Sequence, residues 1–154
     1  MSRRLTLLGT TLLLAIGSRL SAAQANSTMA VNPATVGTIA ISAAVAGQQP
    51  TAVVASGGSY DLSLKKTGGL YTITARLAAP LPPGASLSVS LASPGSGAQS
   101  LGSVVLTTTA QPVVTSLTTN KFTSTGSAIT YSFSSTSAVG VFTQTVDVIF
   151  ALAP

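Results

Sequence analysis

The sequence predicts an all-β protein, an immunoglobulin-like antiparallel β-sandwich, on three observations. Large apolar residues recur at every second position in five segments, and beyond the first 25 residues none sustains the 3.6-residue period of an amphipathic helix. Glycine and proline clusters punctuate those segments at the spacing of a small sandwich. The third observation is the polar complement: 44 of the 154 residues are serine or threonine and only 6% are charged. Hydroxyls therefore fill the positions between the apolar ones, as a sheet with one solvated face requires.

The elements follow in chain order. Residues 1–25 read as a secretory signal peptide: a basic start at Arg3 and Arg4, an apolar run from Leu5 to Ile16, and small residues at Ala23-Gln24-Ala25, with cleavage after Ala25. Residues 26–36 form a short extended segment with Met29 and Val31 on one face, ended by Pro33 and Gly37. A single sandwich domain is expected over 37–154. Its first strand aligns Ile39, Ile41, Ala43 and Val45, and a weaker run covers 51–56. Gly57-Gly58 reads as a turn before the alternating Tyr60, Leu62 and Leu64. Tyr71, Ile73, Ala75 and Leu77 make the next strand, and Pro80 to Gly84 a rigid loop. Leu87, Val89 and Leu91 follow, then a turn over Ser93 to Gly97 and weaker runs at 103–109 and 112–119. Gly126 reads as a turn before Ile129, Tyr131 and Phe133. The chain ends in a long strand, Val141–Leu152, in which Phe142, Val146, Val148, Phe150 and Leu152 carry the apolar face. A strand this apolar is expected inside a sheet, because exposed edges of this kind pair with other chains.

Composition excludes much chemistry. The chain has no histidine, no cysteine and only two acids, Asp61 and Asp147. Imidazole and thiol catalysis, disulfides, and zinc, haem and iron–sulfur sites lack their ligands, and no cofactor or metal is expected. The formal charge of +5 falls to +2 without residues 1–25, leaving Lys65, Lys66, Arg76 and Lys121 against the two aspartates. Nucleic-acid binding wants a clustered basic face, and only Lys65 and Lys66 are adjacent. No membrane span is expected after removal of the leader.

Ser63 and Lys66 match S-x-x-K, a serine–lysine nucleophile spacing. That spacing brings side chains together on a helix, whereas residues three apart on a strand face opposite ways. Pro80 to Pro83 fit PxxP but read as an interstrand loop. The seven aromatics offer stacking surfaces for sugars, yet their alternation with aliphatics places at least five in the core.

The stretch Ala128 to Phe133, followed by Gly140, Phe142, Val146, Val148 and Phe150, resembles the close of chaperone–usher pilus subunits. More specifically, it is similar to the spore-coat-U-like subunits of archaic pili, whose last strand follows a glycine–aromatic step and alternates valine with threonine. The resemblance implies an incomplete immunoglobulin-like fold, filled first by a periplasmic chaperone and then by the N-terminal strand of the next subunit, delivered through an outer-membrane usher. Carried onto this chain, the donor strand would lie within 26–45, with Met29, Val31, Ile39 and Ile41 as plugs. Val141–Leu152 would edge the acceptor groove. Many members carry a cysteine pair that this chain lacks, so it would be stable without a disulfide.

Three functions are carried forward. The first is a structural subunit of an exported surface filament, partnered by copies of itself or homologous subunits. The second is a self-complete secreted β-sandwich serving as an adhesin or surface-layer module. The third is a serine–lysine hydrolase at Ser63 and Lys66.

Overall fold

A computed structural model describes residues 27–32, 37–41, 53–65, 69–117, 120–136, 139 and 142–153. The expected signal peptide lies outside these residues. Among them there is no helix, and none long and apolar enough to cross a membrane. Eleven strands follow in order: β1 (Thr28–Asn32), β2 (Gly37–Ile41), β3 (Val53–Leu64), β4 (Tyr71–Leu77), β5 (Ala85–Leu91), β6 (Gln99–Ser100), β7 (Val104–Val105), β8 (Gln111–Leu117), β9 (Phe122–Ser135), β10 (Phe142–Val146) and β11 (Val148–Ala153).

All pairings are antiparallel. One sheet has the order β1-β3-β9-β5-β7, the second the order β11-β4-β8-β6, and β10 pairs with β2 as a separate ribbon. The sandwich forms because the period-two pattern gives each sheet one apolar face. Tyr60, Leu62, Leu64, Leu87, Val89, Leu91, Ile129 and Tyr131 point inward from the five-stranded sheet. Tyr71, Ile73, Ala75, Leu77, Val113, Val114 and Leu117 meet them from the four-stranded sheet. The two layers enclose one core cluster, and only burial on this scale offsets the entropy of ordering the chain.

Several boundaries differ from the sequence expectation. Gly57-Gly58 is no turn: β3 runs through it as one strand, with a register shift against β9 between Ser56 and Gly58. Gly126 likewise sits within β9, near a second shift opposite Tyr60 and Leu62. The first shift places an extra residue in β3 and the second places one in β9, so pairing regains its original register. Gly58 and Gly126 adopt φ of 96° and 69°, values at which a Cβ is costly. The run 103–109 contracts to the two-residue β7, and β6 arises where no strand is expected.

The long terminal strand divides at Asp147. Its first half, β10, pairs with β2, and its second half, β11, is the outermost strand of the four-stranded sheet. The expected interior position is therefore corrected. Val146 and Val148 are buried through their inward face rather than by pairing on both edges. The Pro80–Gly84 loop is found as expected, with the Ala85 amide donating to the Pro82 carbonyl at 3.0 Å. Ser93 closes the next turn, its hydroxyl donating to the Ala98 carbonyl at 2.8 Å and accepting from the Gly95 amide at 3.2 Å.

Candidate functional site

The candidate donor segment occupies one edge of the sandwich. β1 pairs with β3 in the register Met29 to Leu62 and Val31 to Tyr60, and it is the outermost strand of its sheet. Strand geometry sends Met29 and Val31 inward, where both are half-buried against the core, while Thr28, Ala30 and Asn32 face outward and are exposed. Residues 37–41 of the donor stretch pair elsewhere. Ile39 and Ile41 lie in β2, opposite Gln144 and Phe142 by backbone register. The side chains of Ile39, Ile41 and Phe142 lie outside the described residues, as does the chain at 42–45.

The four remaining terminal-strand residues share one face. Val146 and Val148 are buried, whereas Phe150 and Leu152 are half-buried against the same core. β11 also approaches β1 from the opposite sheet. β1 and β11 thus lie along the same side of the sandwich, each with two apolar residues only half-buried against the core. The sequence places Met29, Val31, Val146, Val148, Phe150 and Leu152 on apolar faces, and the structure brings all six to the core.

One participant carries no sequence signal. Ser27, just before β1, accepts a hydrogen bond from the Lys65 amide at 3.0 Å, and its hydroxyl is 3.0 Å from the Tyr71 hydroxyl. Lys65 follows β3 in one sheet and Tyr71 opens β4 in the other. A lone serine ahead of an alternating segment looks like any other among 22 serines; only the fold distinguishes it.

The other candidates gain little. Ser63 lies on a strand rather than a helix, and Lys66 is outside the described residues. Asp61 and Asp147 belong to different parts of the sandwich: the Asp61 carboxylate accepts from the Gly126 amide at 2.8 Å, and the Asp147 carbonyl accepts from the Ala78 amide at 2.9 Å. No group of three acids, histidines or cysteines that could hold a metal occurs among the described residues. Six of the seven aromatics, all but Phe142, are buried or packed against the core among the described residues. Burial raises the Tyr60 phenol to about 12, with a Ser127 hydrogen bond opposing, and raises Tyr131 to about 12. Both are core phenols held neutral rather than acids poised for chemistry.

An open depression of about 310 Å³ lies between the β4–β5 loop and β7. Leu77, Leu81 and Leu106 line its floor with the hydroxyls of Ser86, Thr107 and Thr108, and no lining residue titrates. It offers contact surface without a group for proton transfer. The comparisons assign no relative: no family model matches the chain, and neither a curated protein nor a solved structure does.

Proposed function

We propose that the protein is an exported structural subunit of a surface filament, an immunoglobulin-like sandwich joined to its neighbours by donated strands and without catalytic activity. The observation that carries this reading is β1: a five-residue outermost strand whose two inward side chains are only half-buried, beside the terminal strand β11. Main-chain hydrogen bonds would give such a joint affinity, and alternate side chains would give it register. Neither needs charge, which fits a chain with 6% charged residues. Its partners on this reading are copies of itself or homologous subunits, with a periplasmic chaperone and an outer-membrane usher in transit. Its final location is the cell surface.

Deletion of residues 26–36 tests the reading. Full-length subunit refolded at high concentration is expected to form strand-linked multimers that persist on dilution, and the truncated chain to stay folded but monomeric. Identical monomeric behaviour of both chains would remove the filament role. The pairing of β1 with its own β3 favours a second reading, a self-complete surface module or adhesin. Under it, truncation unfolds the domain and no multimers form at any concentration.

A further inference from the structure

We infer that Ser27 is a clasp that ties β1 to both sheets, and that the Lys65 amide and Tyr71 hydroxyl it engages are the recognition point for Ser27 of a second copy. The second half rests on the filament reading; the first does not. β1 is held by its ladder to β3 and by two half-buried plugs, Met29 and Val31. An edge strand held this lightly opens locally at less cost than the core strands. Ser27 stands directly before the β1–β3 ladder, and its single hydroxyl reaches an amide just after β3 and a phenol at the start of β4. Tyr71 is 1% exposed, so its hydroxyl meets Ser27 at the margin of the core, where a lost partner is not fully replaced by water. Opening β1 therefore breaks one contact to each sheet together with the ladder. A strand arriving from another copy in the same register, Met29 over Leu62 and Val31 over Tyr60, would set its own Ser27 against the same two groups. A strand displaced by one residue would turn its plugs outward and miss both.

Hydrogen exchange on the full chain as a monomer tests the clasp. Ser27→Ala is expected to raise the opening rate constant ratio of the β1 amides roughly 5- to 30-fold, the size of losing one or two net hydrogen bonds. The β4 and β5 core amides should keep their protection. Ser27→Thr retains the hydroxyl and should restore most of the protection. Tyr71→Phe should raise opening less than Ser27→Ala, and the double variant should add little to Ser27→Ala. Unchanged β1 exchange in Ser27→Ala, or additive effects in the double variant, would overturn the clasp. Recognition is read separately with a labelled peptide of residues 26–36 incubated with the full chain at peptide concentrations on the order of millimolar, which match the tethered resident strand. Wild-type peptide incorporating several-fold better than its Ser27→Ala form supports the recognition point, and equal incorporation overturns it. No incorporation of either peptide counts against strand exchange itself and leaves the exchange result on the clasp standing.

Discussion

At the scale of single residues, the interior is sensitive to one added methyl. A Cβ on Gly57 would overlap the Tyr131 ring and crowd Ile129, and protein cores resist overpacking. Gly57→Ala is expected to cost about 1–3 kcal/mol, read as a lower urea midpoint. Gly69, with open space around its Cβ position, supplies the control, and Gly69→Ala should stay within about 0.5 kcal/mol. The two buried phenols set an alkaline limit. Tyr60 and Tyr131 keep their protons to about 12 in the fold, whereas the unfolded chain releases them near 10. Between those values the native state binds more protons, so this contribution is complete below pH 10 and falls as pH rises towards 12. Urea midpoints across that range should decline, and Tyr131→Phe should shallow the slope. The exchange of aliphatic for aromatic positions is plain in the sequence, but the Gly57–Tyr131 contact joins residues 74 apart and leaves no local trace.

Among the elements, the strands were legible where alternation held and were misplaced where it changed phase. Tyr71 to Leu77 alternates without interruption, and β4 occupies those residues. In β9 the inward residue Phe122 has even numbering, whereas the buried Ile129 and Tyr131 have odd numbering. A glycine near a phase change reads as a turn, and here it is a bulge that lets one strand continue. Asp61 supports that bulge by accepting the Gly126 amide. Gly126→Val is expected to cost about 1–2 kcal/mol because a branched side chain fits poorly at φ 69°, and Gly126→Asn should cost less. Thermal midpoints of the two variants decide the order. β6 escaped sequence reading, and β7 fills only two residues of the strand expected over 103–109. Two-residue strands have no period, and their pairing is set by β5 and β8.

For the whole molecule, the apolar faces of both terminal segments could be read from sequence, while their partners could not. Period two says which side chains turn inward and is silent on which neighbouring strand supplies the ladder. β1 against β3 and β10 against β2 are therefore gains of the structure. With 6% charged residues, folding leans on apolar and backbone contacts, and charge screening has little to act on. The thermal midpoint should hardly move between about 0.01 and 1 M sodium chloride, and a fall of many degrees would indicate an ionic contribution. The cis placement of β1 also has a kinetic and mass-action side. A tethered strand faces its own β3 edge at an effective concentration on the order of millimolar. Any strand from outside competes with that resident, so it enters only near that concentration or with a better fit than the resident has. Growth would then be governed by supply: neighbours must be crowded together, or the resident strand must be kept away while the newcomer docks.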